Sequence, residues 1–194
     1  MKNLFKITLL SLCILAMNSC SRSVSRINPD EQTDLSGRWN DTDSKLVAQE
    51  MTKDCIERNW RTSFSDKNGK KPTIIVGIIT NKSHEHIDAE TFIKNMEKEF
   101  INTGTIRIVQ NSTFREKLRE ERGDQQMFAS PETQKKWGKE LGADYMMFGT
   151  INSIVDTYKK KQVVYYQINL ELADLETNEI VWVGEKKIKK FITN

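Results

Sequence analysis

The sequence has few of the residues on which disulfide frameworks, zinc sites and phosphate-binding loops depend. Only three cysteines, two histidines and nine glycines occur among its 194 residues. A catalytic zinc site usually takes three protein ligands, and no G-x-S-x-G, P-loop or G-x-G-x-x-G pattern is present. Carboxylates are plentiful, but nothing singles out two of the 27 as a glycosidase acid and base. The sequence therefore indicates no enzyme class, and we expect neither a cofactor nor a metal.

The first twenty residues have the plan of a secretory signal. Lys2 and Lys6 precede an apolar run at residues 7–17, and small or polar residues then lead to Cys20. As a helix this run covers only ~16 Å, against a hydrocarbon core of ~30 Å, so it is too short for a membrane span. The stretch resembles a bacterial lipoprotein signal, whose cleavage leaves a diacylated, N-acylated Cys20, although Met17 stands where such signals usually carry leucine. An ordinary cleaved signal with a chance cysteine is the alternative.

Removal of this signal would leave one thiol and a nearly neutral chain. Cys13 would be lost and Cys20 modified, so Cys55 could form no internal disulfide. We expect Cys55 to pack as a small apolar residue rather than to act as a nucleophile. Without Lys2 and Lys6 the 30 basic residues fall to 28, against 27 acidic ones. This balance of +1 gives no support for a nucleic-acid partner.

Composition divides the chain into three parts. We interpret residues 1–19 as the signal, residues 20–38 as the lipidated cysteine with a short flexible tether, and residues 39–194 as the globular domain. The whole chain is 37% hydrophobic and 29% charged, which is typical of one globular domain. Fully extended, the 18 residues after the cysteine reach ~60 Å, so the domain should lie close to its membrane.

The first half of the domain predicts alternating helices and strands. Polar capping residues predict a helix over residues 42–62 with a wide apolar band. The β-branched run at residues 73–80 predicts a strand covered on both faces. A helix capped by Asp88 and closed by Gly104 leads to a second strand near residues 106–108, and these three elements would form a parallel βαβ unit.

The second half predicts two more helices and then a meander. Residues 112–122 predict a helix with Phe114 and Leu118 pointing inward, and residues 130–142 predict another. Three long extended runs begin at residue 144 and are separated by short polar turns, which is typical of antiparallel strands. The predicted fold class is α/β (α+β), a single domain with one mixed sheet of about five strands packed against helices.

Two local features have both a functional and an ordinary interpretation. His84 and His86, in the segment SHEHID, could face one metal ion, but a solvated loop at a strand end is the preferred interpretation. Lys186 and Lys187 belong to a lysine-rich stretch that could attract an anionic surface. On a strand these lysines would alternate between its two faces, and they would also protect a sheet edge from aggregation.

Four segments, in this order, resemble the family of the penicillin-binding protein activator LpoB. They are SGRWNDTDS, KKPTIIVGIITNKSHEHIDAETFIKNMEKEFINTGTIRIV, LGADYMMFGTI and YQINLELADLETNEIVWVGEKKIKK, and they span most of residues 36–190. The resemblance implies a small α/β domain similar to the N-terminal domain of the Tol-system protein TolB. In that fold SGRWNDTDS leads into the first helix, so Trp39 would fold back onto the domain like a hydrophobic staple.

The function that this resemblance implies is binding rather than catalysis. Family members are outer-membrane lipoproteins that stimulate glycan-strand polymerisation by a bifunctional class A penicillin-binding protein. We therefore expect a monomer, held by lipid on Cys20 at the periplasmic face of the outer membrane, that regulates cell-wall synthesis. The predicted partner-binding residues are Arg38, Trp39, Lys186 and Lys187, since exposed Trp and Arg are favoured at interfaces. For Trp39, structural anchoring is the alternative.

The short tether and the existence of related domains keep alternatives open. The best-known family members carry a long proline-rich tether, whereas the predicted tether of this chain has about 18 residues and one proline. A tether this short argues against contact with a distant inner-membrane synthase. The partner would then extend outward or be a different protein. A lipoprotein adaptor or component of an outer-membrane secretion or assembly system is the alternative function, and the inner membrane is the alternative location.

Overall fold

The computed structural model describes residues 23–29, 31–130, 132 and 139–193 of the chain. A compact unit begins at Gln32, and the described residues before it are exposed. Its elements in chain order are α1 (Asp41–Glu57), α2 (Asn59–Asn68), β1 (Thr73–Lys82), α3 (Ala89–Thr103), β2 (Arg107–Ile108), α4 (Ser112–Phe128), β3 (Tyr145–Tyr158), β4 (Lys161–Asp174) and β5 (Ile180–Thr193).

The five strands form one mixed sheet in the order β2-β1-β3-β4-β5. Strand β1 runs parallel to both β2 and β3, and β3, β4 and β5 form an antiparallel meander. The predicted fold class, the βαβ unit and the meander are therefore confirmed. Asp88 caps α3 through the amide of Glu90, and Gly104 ends the helix with a left-handed φ of 64°, as the sequence predicts.

One face of the sheet holds the core, and the other is open. Along β4 the even-numbered side chains of residues 164–172 are buried, whereas the odd-numbered ones are only half-buried. Helices α1 and α3 pack against each other, α1 against β5 and α3 against β1. On the opposite side, called the open face below, Ile154, Val183 and Phe191 are mostly exposed. The sheet is thus covered by helices on its core face.

The single helix predicted over residues 42–62 is wrong, because the chain breaks into two helices at Arg58. Arg58 is extended (φ −82°, ψ 156°), and the indole Nε1 of Trp60 donates to the carbonyl of Cys55 at 2.7 Å. The Trp60 ring packs edge-on against Tyr145 of β3, with 5.1 Å between ring centroids. A contact with a residue 85 positions further along the chain therefore decides where α1 ends.

The interpretation of Cys55 as a packing residue is supported by its surroundings. Its side chain is fully buried with Val47 and Met51, which precede it at four-residue spacing on α1. Burial raises the pKa of the Cys55 thiol, and the neighbouring Asp54 carboxylate adds to this effect. The thiol stays protonated at neutral pH, and a protonated thiol is a poor nucleophile.

Two predictions of burial were wrong. Strand β1 was expected to be covered on both faces, but Ile78 is 72% exposed. Leu118 of α4 was expected to point inward, but it is exposed, whereas Phe114 is half-buried. Helix α4 is capped by Asn111, whose side chain accepts from the Phe114 amide. The apolar residues of α4 did not predict its burial, because among the described residues this helix makes few contacts with the other elements.

The helix predicted over residues 130–142 lies mostly outside the described residues. Residues 139–142 are described and are not helical. In the described part of the chain, no helix is both long enough and apolar enough to span a bilayer.

Candidate interaction site

Trp39 folds back onto the domain directly before α1. Its backbone amide donates to Glu85 Oε2 at 3.0 Å, and its indole Nε1 donates to Ser44 Oγ at 2.7 Å. Its ring meets Tyr166 of β4 edge-on, at 5.5 Å between centroids. Trp39 and Ser44 flank the Asn40 cap at the two positions of a hydrophobic staple, but a hydrogen bond joins them. The fold gives Trp39 an anchoring role, while its predicted role in partner binding stays a prediction.

Glu85 is the centre of the contacts around Trp39. Besides the Trp39 amide it accepts the Tyr166 hydroxyl at 2.7 Å, and His84 Nε2 lies 3.2 Å from the same carboxylate. The Glu85 side chain is nearly buried. Burial raises the pKa of Tyr166, and the hydrogen bond to Glu85 raises it further. Glu85 therefore joins the segment before α1 to β4 through hydrogen bonds from Trp39 and Tyr166.

His84 is held by both of its ring nitrogens. Nδ1 lies 2.6 Å from Ser153 Oγ on β3 while Nε2 faces Glu85, and the ring stacks on Tyr166 at 6.4 Å. His86 lines the same surface. Among the described residues, no group of three or more His, Cys, Asp or Glu side chains is placed to hold a metal ion.

These side chains surround a cleft of about 360 Å³, called the Trp39 cleft below. Its wall combines the apolar Trp39, the guanidinium-bearing Arg38 and the two histidines. Because Trp and Arg are favoured at protein interfaces, a cleft lined by both can receive a side chain or a short loop of another protein. Its lining residues are Ser36, Arg38, Trp39, His84, Glu85, His86, Gln162, Val164 and Ile192.

A largely buried lysine side chain, 13% exposed, ties the segment before α1 to the last strand. Lys190 Nζ donates to Asp43 Oδ2 at 2.6 Å, to Asp34 Oδ1 at 2.9 Å and to the Arg38 carbonyl at 3.0 Å. Gly37, with a positive φ of 68°, lies so close to Ile192 that a Cβ there would clash with its side chain. Residues 33–38, which the sequence predicts to be tether, thus belong to the compact unit. Asp34, Asp43 and Lys190 are called the Lys190 cluster below.

The Lys190 cluster should make the attachment of residues 33–38 depend on pH. The hydrogen bond from Lys190 lowers the pKa of Asp34 below its ordinary value of 3.8. A carboxyl whose folded pKa is depressed stabilises the fold above its unfolded pKa, and this contribution is lost as the pH falls through the folded pKa. Burial disfavours the charge on Lys190, but hydrogen bonds to Asp43 and Asp34 outweigh it and raise the pKa of Lys190. Its contribution is therefore lost only in strong alkali.

We expect residues 33–38 to be held firmly at neutral pH and to loosen below about pH 4. The measurement is hydrogen exchange of these amides at pH 6 and pH 3, corrected for the intrinsic exchange rate, with the amides of β4 as the internal control. Equal protection of residues 33–38 at the two pH values would contradict this expectation.

Lys186 and Lys187 lie on opposite faces of β5. Lys186 is on the core face, paired with Glu50 of α1, whereas Lys187 is on the open face, 2.5 Å from Glu185. The hydrogen bond to Glu185 raises the pKa of Lys187. The predicted alternation of the lysines is confirmed. Of the four predicted partner-binding residues, Arg38, Trp39 and Lys186 lie on the helix side of the sheet, and Lys187 does not share that surface. Cys20 lies outside the described residues.

Sequence reasoning missed the residues that organise the Trp39 cleft. The sequence did not predict that Glu85 and Tyr166 meet Trp39, or that Lys190 meets Asp43 of α1. One signal was available for Lys190, because strand alternation places it on the same face as the apolar Ile188 and Ile192. A lysine on a buried face needs a carboxylate partner, although the strand itself cannot say which one.

Comparisons with known proteins identify a family. The family model described as peptidoglycan-synthase activator LpoB matches residues 43–188. No curated protein sequence matches the chain significantly. Three similar solved structures are the LpoB C-terminal domain from Salmonella enterica (13% identity, 75% of this chain and 98% of that one, TM-score 0.43), LpoB from E. coli solved by NMR (14%, 92% and 84%, 0.43) and a lipoprotein from Neisseria meningitidis (12%, 62% and 83%, 0.38). The match to the family model is the finding that bears on function.

Proposed function

Because this chain belongs to the LpoB family of peptidoglycan-synthase activators, we propose that it binds and stimulates a class A penicillin-binding protein. The observation that carries the proposal is the family match over residues 43–188. That range runs from the first turn of α1 into β5, and so includes β1 to β4 and most of β5.

The stimulation would be a shift of population rather than a chemical step. An activator that binds the active form of the synthase more tightly than its resting form moves the equilibrium towards the active form. A tenfold stimulation needs a difference in binding free energy of only about 1.4 kcal/mol. No residue of this chain then has to touch the glycan substrate, and the protein is a regulator rather than an enzyme.

Lipid on Cys20 would hold the domain at the periplasmic face of the outer membrane. The supporting observation is the signal-like order of charge, apolar run and cysteine in residues 1–20. Arg38, Trp39 and Lys186 are our candidates for the synthase-binding surface on the helix side of the sheet, since Arg and Trp there line the Trp39 cleft.

The test is glycan polymerisation by a purified class A synthase of the same cell, with and without the full chain in detergent. We expect the chain to raise the rate by roughly tenfold, within the usual range of coupling between two binding partners. The Cys20→Ala variant, which lacks the acylation site, should stimulate equally in detergent, while mass spectrometry should find acyl chains only on the wild-type protein. The proposal fails if the chain binds no class A synthase of that cell, or if it forms ring-shaped oligomers typical of an assembly component.

A further inference from the structure

Strand β1 has an unpaired edge over most of its length. It spans ten residues, whereas β2 spans two and pairs only with Thr73 and Ile74. One further bond joins the Val109 amide to the Ile74 carbonyl before the chain turns into α4. Among the described residues, no strand lies beside residues 75–82 on this side. Backbone donors and acceptors along such an edge are a template for another strand.

A cleft of about 830 Å³ lies at this edge and is called the β1 cleft below. Ile75, Ile78 and Met146 from the sheet and Ile93 from α3 give it an apolar lining, and the start of α4 forms its other wall. The volume is enough for several residues of an extended chain, because ligand pockets in proteins typically measure about 300–1,000 Å³. The cleft therefore combines unpaired backbone groups with apolar positions for alternate side chains.

The two edges of the sheet differ in how they are protected. Strand β5, the other edge, carries four lysines within five residues, a pattern that discourages strand addition. Residues 75–81 of β1 read IVGIITN and carry no charge. Among the described residues, the walls of the cleft are what flanks the β1 edge. A single extended chain fits between such walls better than a whole sheet.

Charge in the β1 cleft favours an acidic ligand. Lys94, Arg115 and Lys117 line it, against the single carboxylate of Glu90. Lys94 is also paired with Glu97, and it lies 4.7 Å from the Phe114 ring centre. Within the described part of the chain, the buried Nε atom of Arg115 has no hydrogen-bond partner. With Glu97 counted beside Glu90, three cations face two carboxylates, so carboxylates on an incoming segment would meet a small net positive charge.

We propose that the β1 cleft binds an extended segment of the synthase, with apolar and acidic residues, as an added strand on β1. Backbone hydrogen bonds to β1 supply affinity in this mode, and alternate side chains supply specificity. The occupant is a single strand of a different protein. A second copy of this chain would bring the same positively charged cleft walls to the interface, and the like charges would repel each other. This inference rests on the proposed function, since it names the part of the synthase that the chain would bind.

The first test is site-specific crosslinking with the full chain in detergent and the purified synthase. A photoreactive benzoylphenylalanine is placed at Ile78 in the β1 cleft, or at Val183 on the open face, where the side chain is also mostly exposed (72% and 62%). We expect a crosslink from position 78 to one acidic, apolar stretch of the synthase and none from position 183. Crosslinks only from position 183, or from neither position while the two proteins bind, would overturn the inference.

The second test separates charge from general surface effects. Lys117→Glu at the β1 cleft is compared with Lys189→Glu on the open face of β5, since both lysines are exposed and the change of charge is the same. We expect Lys117→Glu to slow association with the synthase roughly three- to tenfold at low salt, and Lys189→Glu to change it less than about twofold. Equal effects of the two variants would contradict a role for the cleft.

The two levels of the proposal fail in different ways. If the wild-type chain neither binds nor stimulates the synthase, the proposed function fails and this inference fails with it. If the wild-type chain stimulates the synthase but position 78 gives no crosslink and Lys117→Glu behaves like Lys189→Glu, only the β1 cleft is eliminated. Arg38, Trp39 and Lys186 would then remain as the candidate synthase-binding surface.

Discussion

Replacing Lys190 by alanine should lower the free energy of unfolding by about 3 kcal/mol, because it leaves a nearly buried carboxylate without its cation. The side chains of Lys190 and Asp43 are only 13% and 11% exposed, and their charged atoms are 2.6 Å apart. Denaturant titration of the full chain measures the change. Removal of the ammonium also frees Asp34 and the Arg38 carbonyl, so faster hydrogen exchange of residues 33–38 should accompany the loss of stability.

The neighbouring Lys189 is the matched control for this prediction. It lies on the same strand but faces the open side and is exposed, so Lys189→Ala should change stability by less than about 0.5 kcal/mol. Lys190→Arg keeps the charge and should recover most of the loss. If Lys190→Ala proves as stable as Lys189→Ala, the Lys190 cluster does not hold the first segment to the sheet.

Replacing Glu85 by alanine should cost a similar amount, again about 3 kcal/mol. The variant removes the acceptor for the Tyr166 hydroxyl, which lies in the core, and for the Trp39 amide. Hydrogen bonds to a charged group contribute about 1.5–3 kcal/mol each, and a buried hydroxyl without a partner is costly. The free energy of unfolding and the hydrogen exchange of the Trp39 amide are the two measurements.

Two milder variants locate the source of the Glu85 effect. Glu85→Gln keeps an acceptor oxygen and should lose about 1 kcal/mol, and Tyr166→Phe removes only the hydroxyl and should lose about as much. Glu179→Ala, at an exposed carboxylate in the turn before β5, should have little effect. A loss in Glu85→Ala no larger than in Glu179→Ala would show that the ring contact with Tyr166 and the hydrogen bond to Ser44 are enough to hold Trp39.

Local patterns predicted the secondary structure, and contacts between distant residues explain where they failed. The caps at Asp88 and Gly104 and the alternation along β4 depend on neighbours in the chain, so they could be predicted. The break at Arg58 could not, because it follows from the packing of Trp60 against Tyr145. The open side of the sheet near Ile78 was missed because a β-branched run reports strand preference and not what covers the strand.

The candidate site was predicted in its position but not in its organisation. The anchoring of Trp39 in front of the first helix was among the expected roles, and the two histidines were expected in a loop at a strand end. The contacts of Glu85 with Tyr166 and of Lys190 with Asp43 join residues 81 and 147 positions apart. A single sequence carries no signal for such pairs beyond the need of each buried charge for some partner.

In the proposed lipid-anchored form, the attachment of residues 33–38 to β5 shortens the free segment between Cys20 and the compact unit. Eleven residues, 21–31, separate Cys20 from the compact unit that begins at Gln32. Eleven residues can extend to at most ~38 Å. The domain would therefore stay within a thin layer next to the lipid headgroups. A synthase anchored in the opposite membrane would have to extend its own binding domain into that layer. The distance across the envelope would then decide which synthases can be activated.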